Sequence, residues 1–317
     1  MTASGPNPNP VSSTVSSTVS STALKPRVGA VVVLYNPESD VLENLQILVA
    51  QIDALVIVDN GSSESFRAEL APMLNARVEL IRHPENLGIA TGFNTGIHRL
   101  IELGCEFSLT FDQDSQINPN FVQDMILALH DARRKYGEVF VIAPHWKDVN
   151  SGIRFPNTWV RRFEFYRPND TISSGNLIDN TVFSKIGFFE DKYFIDGVDI
   201  EFHLRCKKSG FPVVQTSRAL LSHSLGVQNV RKFLFIPFIV TFHSHVRKYY
   251  ISRNRIQNYK KYAFVFWFWF LNDLVAFLNE TIIIVLHDRT DVRRKLKFTW
   301  LGIRDGFRDE MGKCPHV

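Results

Sequence analysis

Residues 107–115 read FSLTFDQDS, an apolar run that ends in two aspartates separated by one glutamine. Side chains two residues apart at the end of a strand project to the same side, so Asp112 and Asp114 would repel each other unless a cation offsets their charge. Carboxylate oxygens suit Mg²⁺ or Mn²⁺, which prefer a few carboxylates together with the phosphate oxygens of a substrate. The alternative is a solvated turn, because aspartate is common in turns. The place of this pair in the fold has to decide between the two interpretations.

Outward from this stretch, strand-like and helix-like segments alternate. Five apolar runs between residues 28 and 144 are typical of strands buried on both faces. They are VGAVVVLY (28–35), ALVIVD (54–59), RVELIR (77–82), FSLTFD (107–112) and EVFVIAP (138–144). Segments with helical periodicity lie between them, near residues 40–51, 63–75, 89–103 and 119–135. This alternation predicts an α/β fold with a doubly wound, mostly parallel central sheet.

The residues that follow each strand are candidate ligand contacts, because such sheets bind ligands beyond the carboxyl ends of their strands. These positions are polar: Tyr35 to Pro37, Asp59 to Ser62, Arg82 with His83, and Asp112 to Asp114. The first strand continues as LYNPES, which has neither the glycine fingerprint of a dinucleotide fold nor the Gly-Lys-Ser/Thr turn of a P-loop. The sheet is therefore predicted to bind a nucleotide without a glycine-rich phosphate loop.

The segment NLGIATGFNTGI carries glycines at positions 88, 92 and 96, a four-residue spacing that places them on one face of a helix. Close packing of this helix on the sheet would explain the spacing, and so would close approach of a ligand to the backbone. The two explanations are compatible.

A second acidic cluster lies in FFEDKYFIDGVDIEFHLRCKKSGF, residues 188–211, with five carboxylates in twelve residues. From Asp199 onward the pattern indicates a short helix, so capping of its N-terminus is one explanation for Asp199. A carboxylate at this place could instead act as a general base, and Asp196 or Asp199 could supply it.

The order of these motifs resembles the family 2 glycosyltransferases, inverting enzymes with one nucleotide-sugar-binding α/β domain of GT-A type. The resemblance runs from about Val28 to Gly226 and rests on VDNGS, NLGIATGFNTGI, DQDS, SSGNLI and FIDGVDIEFHLR. The last three motifs look most like those of bacterial rhamnosyltransferases that use dTDP-L-rhamnose. Donors such as UDP-galactofuranose or UDP-N-acetylglucosamine are the alternatives with the same fold, and a non-catalytic sugar-nucleotide or polysaccharide-binding module is the alternative from another class.

The resemblance implies roles for individual residues on the donor side. Tyr35 and Asn36 would lie near the nucleobase, and Asp59 would accept a hydrogen bond from its N3–H, although Asp59 could also cap the next helix together with Ser62. Asp112 would face the ribose and the metal. The remaining donor-binding positions implied by the resemblance are Asn86, Gly88, Gln113, Ser174 and Gly175.

The resemblance also implies the metal ligands and the base. Asp114 would be the direct ligand of Mg²⁺ or Mn²⁺, and His223 a further ligand that suits Mn²⁺, unless His223 is an ordinary surface or core histidine. The family places its base in an acidic pair that opens a helix, which corresponds to Asp199. Because Val198 stands where the family has the preceding acid, Asp196 is the other candidate.

Residues 1–26 and 229–317 differ in character from the part between them. The first 26 residues contain three VSST units and no apolar core of signal-peptide length, which predicts a disordered leader. Residues 27–228 are predicted to form the GT-A domain. Residues 229–317 are basic and aromatic and predict a helical region that lies on a membrane surface or joins subunits.

The composition limits the possible partners and the compartment. A net charge of +4 with basic residues gathered late in the chain does not suit nucleic-acid binding, whereas it suits a local anionic surface. In this region Trp267, Trp269 and Phe270 would enter the lipid boundary, and Lys248, Arg253, Arg255, Lys260 and Lys261 would meet anionic lipid. Three widely spaced cysteines indicate neither a disulfide framework nor a zinc site. We therefore expect a cytoplasmic protein, peripheral on the inner face of the membrane. Together with this location, the resemblance implies an acceptor that is a lipid-linked saccharide or a lipopolysaccharide or O-antigen precursor.

Overall fold

The computed structural model describes residues 26–37, 40–63, 68–156, 159–168, 171–224, 228–233, 236–241, 243–287 and 291–317. The leader predicted for residues 1–26 lies outside these ranges, except for Pro26. The helix predicted for residues 63–75 is described only in part, as helical residues 68–70 followed by a 3₁₀ turn at Ala71–Met73.

Nine strands form the main sheet, in the order β3-β2-β1-β4-β8-β5-β9-β7, and β6 pairs with β5 outside this path. Their bounds are β1 (Val28–Leu34), β2 (Ala54–Asp59), β3 (Val78–Arg82), β4 (Phe107–Asp112), β5 (Val141–Asp148), β6 (Arg154–Phe155), β7 (Phe165–Tyr166), β8 (Asn176–Asp179) and β9 (Val213–His223). The pairs β3–β2, β2–β1, β1–β4 and β5–β9 are parallel, whereas β8 is antiparallel to both of its neighbours. The mostly parallel sheet is as predicted from the sequence.

Helices pack on both faces of this sheet. They are α1 (Val41–Val49), α2 (Ile89–Glu102), α3 (Phe121–Tyr136), α4 (Thr181–Ile186) and α5 (Val198–Lys208). The apolar side chains of α1 and α3 share one core cluster with the strands, and those of α2, α4 and α5 share another. A strand that is covered by helices on both faces buries the side chains of both faces. This explains why the strands are continuous apolar runs.

The glycines of α2 explain how closely this helix approaches the sheet. A Cβ atom at Gly92 would lie 2.7 Å from a methyl carbon of Val33, and one at Gly96 would lie 2.1 Å from a methyl carbon of Val31. Gly88 does not share this face, because it precedes the helix with φ +92° and packs against the backbone of Phe194. The prediction of three glycines on one helical face is therefore wrong for Gly88, and close packing accounts for the other two.

The C-terminal region begins with a two-stranded antiparallel hairpin and then becomes helical. The hairpin consists of β10 (Gln228–Phe233) and β11 (Ile236–Thr241), and the helices are α6 (His245–Tyr262), α7 (Trp267–His287) and α8 (Val292–Phe307). Helices α6 and α8 pack closely together. The helical region predicted for the C-terminal part of the chain is thus present.

Helix α6 is polar and nevertheless buried. Arg253 is fully buried, and its guanidinium donates to the carbonyl oxygens of Gly312 and Tyr193 at 2.5 and 3.0 Å. Asn254 donates to the carbonyl oxygens of Tyr193, Ile195 and Asp196 at 2.9, 2.8 and 2.6 Å. Helix α6 therefore holds the loop that enters α5.

Helix α7 turns its acidic residues inward and its apolar residues outward. Asp273 and Glu280 both accept hydrogen bonds from Arg255 of α6, at 2.8 and 3.1 Å. The helix leaves a row of apolar side chains about half exposed or more: Trp267, Phe268, Leu271, Val275, Leu278, Ile282, Val285 and Leu286. Residues Trp267–Leu286 form a helix long and apolar enough to cross a membrane by length and composition alone.

This arrangement corrects the predicted lipid contacts of the basic residues and of Trp269. Lys248 and Arg253 are buried, Arg255 is paired with carboxylates of α7, and Trp269 is only 5% exposed. Lys260 and Lys261 form ion pairs within the protein as well. These cations are therefore engaged within the protein, Arg253 by backbone carbonyl oxygens and the other four by carboxylates. The outer row of α7 is apolar.

Candidate active site at the carboxyl edge of the sheet

A cleft of ≈ 730 Å³ opens at the carboxyl ends of the parallel strands. Asp112 ends β4 opposite Val33 of β1, and Asp59 ends β2 opposite Leu34. Parallel neighbours end at the same edge, so the order β2-β1-β4 brings both acids to one side of the molecule. Both carboxylates of the DQDS stretch line the cleft.

Asp112, Asp114 and His223 form a group that could hold a metal ion, since their ligand atoms all lie within 4.8 Å of one another. His223 ends β9, and its Nδ1 is 3.1 Å from a carboxylate oxygen of Asp114. Residues 115 to 117 run beside the end of β9, where Gln116 and Ser222 form an isolated bridge. Two carboxylates with one imidazole fit Mg²⁺ or Mn²⁺, and the imidazole favours Mn²⁺.

The electrostatics of this group reflect its crowding. Burial is the main cause that raises the pKa of Asp112 to about 6, and the charge of Asp114 adds to the rise. Burial disfavours the imidazolium of His223, but the hydrogen bond to Asp114 and the charges of both aspartates outweigh it and raise the pKa of His223. A bound divalent cation would replace the proton as the charge that offsets the carboxylates.

Ser174 and Gly175 lie behind the DQDS turn. Ser174 is fully buried, and its hydroxyl accepts from the backbone N–H of Asp112 at 3.2 Å and lies 2.6 Å from the Ser115 hydroxyl. Gly175 has φ +79°, and a Cβ there would lie 2.9 Å from Pro144. These two residues shape the turn that carries the carboxylates, and Ser173 is the member of the motif that lines the cleft.

The predicted nucleobase contacts surround the ends of β1 and β2. Tyr35 is 47% exposed, and its backbone N–H donates to the side chain of Gln113 at 2.8 Å. Asn36 donates its backbone N–H to the Ser62 hydroxyl at 2.9 Å. Asp59 is buried, accepts from the backbone N–H of Ser62 at 2.8 Å and lies 3.6 Å from Arg82. Asp59 and Ser62 are thus joined by a hydrogen bond, whereas the predicted capping of the next helix falls on residues outside the described ones.

Asn86 holds the turn that leads into α2. Its side-chain oxygen accepts from the backbone N–H of Gly88 at 2.9 Å and from the amide of Asn60 at 3.1 Å. Asn60 also donates to the carbonyl oxygen of Gly88 at 3.2 Å. In this turn Asn86 and Gly88 form hydrogen bonds with each other and with Asn60.

The second acidic cluster faces the same cleft, because both Asp196 and Asp199 line it. Asp196 has φ +62°, and its two oxygens are 3.0 and 3.2 Å from Nε of Arg247. Burial raises the pKa of Asp196, and Arg247 opposes that rise. Helix α5 begins at Val198 with Gly197 as its N-cap, so Asp199 lies in the first turn and is not the capping residue itself.

Arg247 of α6 is a site residue that the sequence motifs did not reveal. Among the described residues that line the cleft it is the only Arg or Lys, and its side chain is 46% exposed. It lies far along the chain from the acidic motifs, in a segment with many basic residues, so sequence spacing gave no signal. Because Arg247 lines the same cleft as the carboxylates, its guanidinium can meet an anionic group of a ligand there.

Comparison with known proteins agrees with this geometry. The family model described as glycosyl transferase family 2 matches residues 30–190. The dTDP-rhamnosyl transferase RfbF of Shigella flexneri is 31% identical over 236 residues, which covers 71% of this chain and 77% of RfbF. The galactofuranosyltransferase GlfT1 of Mycobacterium tuberculosis is 26% identical over 226 residues, which covers 65% of this chain and 73% of GlfT1.

Solved structures share the fold. GalNAc-T7 with UDP, GalNAc and Mn²⁺ superposes with a TM-score of 0.57 at 12% identity, over 89% of this chain, which spans 56% of that chain. Residues 1–349 of S. aureus TarS with UDP-GlcNAc superpose with a TM-score of 0.53 at 14% identity, over 90% of this chain and 92% of that one. The predicted GT-A-type fold is confirmed. The protein belongs to glycosyl transferase family 2 and is a glycosyltransferase.

Proposed function

We propose that the protein transfers L-rhamnose from dTDP-L-rhamnose to a saccharide acceptor, in a metal-dependent reaction that inverts the configuration at the transferred carbon. The observation that carries the proposal is the Asp112, Asp114 and His223 group in the cleft at the sheet edge. The choice of donor is supported by the similarity to RfbF, a dTDP-rhamnosyl transferase.

In this mechanism Asp112, Asp114 and His223 would hold Mg²⁺ or Mn²⁺. A bound cation of this kind neutralises negative charge on a diphosphate leaving group. Arg247, which lines the same cleft, would pair with the diphosphate and add a second positive charge where negative charge develops. Tyr35, Asn36 and Asp59 would contact the nucleobase.

Asp199 would act as the general base. Its carboxylate would take the proton of the acceptor hydroxyl while that oxygen bonds to the anomeric carbon of the sugar and the bond to the diphosphate oxygen breaks. Attack from the face opposite the leaving group inverts the anomeric centre. Asp196 is the less suitable base because proton uptake there would break its ion pair with Arg247.

The acceptor is proposed to be a lipid-linked saccharide or a lipopolysaccharide precursor at the inner face of the cell membrane. The apolar outer row of α7 supports contact between residues 229–317 and lipid. Residues 27–228 would form the glycosyltransferase domain. Association of α7 with a second copy of the chain is the alternative. Binding of the full-length protein to vesicles at a protein concentration where it is monomeric would favour lipid.

The test is release of nucleoside diphosphate by full-length protein with Mn²⁺ or Mg²⁺ and a panel of dTDP-L-rhamnose, UDP-galactofuranose and UDP-N-acetylglucosamine. We expect turnover of dTDP-L-rhamnose that EDTA and Asp114→Asn both abolish. Asp291→Asn is the matched control, since Asp291 is exposed and its φ of +53° is one that asparagine adopts. Faster turnover of a UDP-sugar would show that the donor is not dTDP-L-rhamnose. Metal-dependent binding of the donors without any turnover would favour the non-catalytic module.

A further inference from the structure

A second cleft of ≈ 420 Å³ adjoins the first one. Asp199 and Ile172 line both clefts, so the two meet at the proposed base. The volume lies within the range of about 300–1,000 Å³ that is typical of small-ligand sites.

The walls of the second cleft are aromatic on the side of β5 and β6. Trp146 and Phe155 face each other across this antiparallel pair, and their rings stack with centroids 4.1 Å apart at an interplanar angle of 15°. Trp146 also meets His223 edge to face, with centroids 6.3 Å apart at 85°. Tyr166 of β7 completes the aromatic lining. The stacked pair is thus fixed between the metal-binding histidine and the second cleft.

The two clefts differ in charge in a way that separates their ligands. The first carries five aspartates in addition to His223 and Arg247, which suits a metal ion and a diphosphate. Among the described residues that line the second, Asp199 is the only charged one, and most of the others are apolar or aromatic. A diphosphate would lack a counter-charge there, whereas an uncharged sugar ring could pack its C–H face on the aromatic side chains.

We propose that the second cleft is the acceptor site, and that it takes an uncharged saccharide. One ring of the acceptor packs on the wall formed by Phe155 and Tyr166, and its reacting hydroxyl points to Asp199. The reacting hydroxyl then approaches Asp199 from the second cleft, whereas the metal group lines the first. The proposal rests on the proposed glycosyl transfer and adds the residues that select the acceptor.

The test uses Phe155→Ala in full-length protein, with Phe163→Ala as the matched control. Phe155 is half-buried and lines the cleft, whereas Phe163 is 53% exposed and does not line it. The probes are the methyl glycosides of rhamnose, galactose and N-acetylglucosamine, and saturation-transfer NMR detects their binding. We expect the wild type and Phe163→Ala to bind at least one probe, and Phe155→Ala to bind it about tenfold more weakly.

A second variant covers the case in which Phe155→Ala unfolds locally. Ile200→Trp places a larger side chain in the same cleft and should lower the affinity for the methyl glycoside by a similar factor. Calorimetric donor affinity with Mn²⁺ should change less than about twofold in both variants, because the donor occupies the other cleft. Equal probe binding by all four proteins, no binding by the wild type, or a loss of donor affinity parallel to that of the probe would each overturn the proposal.

Failure of this proposal is distinguishable from failure of the proposed function. Probe binding is measured without donor or turnover, so it can succeed or fail whichever nucleotide sugar the enzyme uses. Donor turnover by water, in the absence of acceptor, reports on the metal group alone. A protein that hydrolyses the donor and binds no probe would retain the proposed function and lose the acceptor site.

Discussion

Replacement of Asp199 or Asp196 by asparagine decides which carboxylate takes the acceptor proton. Asp199 lies in the first turn of α5 and lines both clefts. Asp196 lines the first cleft but not the second, and both of its oxygens lie within 3.2 Å of Nε of Arg247. An asparagine keeps the shape of either side chain and removes its ability to accept a proton.

The expected losses differ in size. Removal of a general base lowers the rate by about 10²–10⁴-fold, which corresponds to about 3–5 kcal/mol in the activation barrier. In Asp196→Asn the side-chain oxygen can still accept from Arg247, so only the charge of the pair is lost. Because the Arg247 side chain is 46% exposed, solvent screens this pair, and its coupling is about 1 kcal/mol, or about fivefold in rate.

The assay is single-turnover release of nucleoside diphosphate in the presence of acceptor, combined with calorimetric donor affinity. Asp199→Asn should lose turnover and keep donor affinity, since Asp199 does not belong to the metal group. Asp291→Asn again reports the effect of the same substitution at a remote position. A larger loss of turnover in Asp196→Asn than in Asp199→Asn would refute the assignment and make the loop aspartate the base.

Four further changes have defined outcomes. Asp114→Asn should weaken Mn²⁺ binding by about tenfold or more in a calorimetric titration, because it removes one of the two carboxylates in the candidate metal group. Arg255→Met should lower the free energy of unfolding in urea by about 3 kcal/mol, since its two carboxylate partners stay partly buried, whereas Lys260→Met at an exposed pair should cost less than about 1 kcal/mol. Gly96→Ala should cost about 1–3 kcal/mol in the same assay, because the new methyl group meets a buried valine of β1. Burial lowers the pKa of His203 to about 4, so the unfolded chain binds a proton that the folded one does not, and stability should fall as the pH drops from about 6.5 to 4; His203→Gln should flatten this dependence.

The first half of the sheet was predictable because local pattern and topology agree there. Each of the first four strands is an apolar run, and each predicted start and end lies within one residue of the structure. The parallel order follows from helices that alternate with strands. The same reasoning placed Asp59 and Asp112 at one edge of the sheet, and the structure confirms that placement.

The second half was harder to predict because its strands pair across long distances in the chain. Strand β8 lies between β4 and β5 and is antiparallel to both. The alternation of strands and helices in the sequence does not predict this strand. His223 reaches Asp114 only because β9 runs beside β5 to the same edge. The sequence could suggest this histidine through a family resemblance, whereas the contact itself depends on the register of strands some seventy residues apart in the chain.

The basic residues of helix α6 were predicted wrongly, because the sequence alone does not distinguish a buried Lys or Arg from one that faces lipid. Arg253 and Lys248 were predicted to meet lipid, but both are buried. A guanidinium can be buried when backbone carbonyl oxygens accept its N–H groups, and the loop before α5 supplies them to Arg253. The composition of a segment gives its charge. Which groups bind its charged side chains depends on the tertiary fold.

The contacts of α6 connect the C-terminal region to the loop that precedes the proposed base. Asn254 fixes the loop through three backbone carbonyl oxygens, and Arg247 pairs with Asp196 in that loop. The loop leads directly into the first turn of α5, where Asp199 lies, so its position depends on side chains that come after residue 228. A chain cut at the proposed boundary of 228 would keep the metal group and lose the support of the base. The region after that boundary would then contribute twice to the proposed function, since α7 presents its apolar row outward while α6 holds the loop that leads to the proposed base.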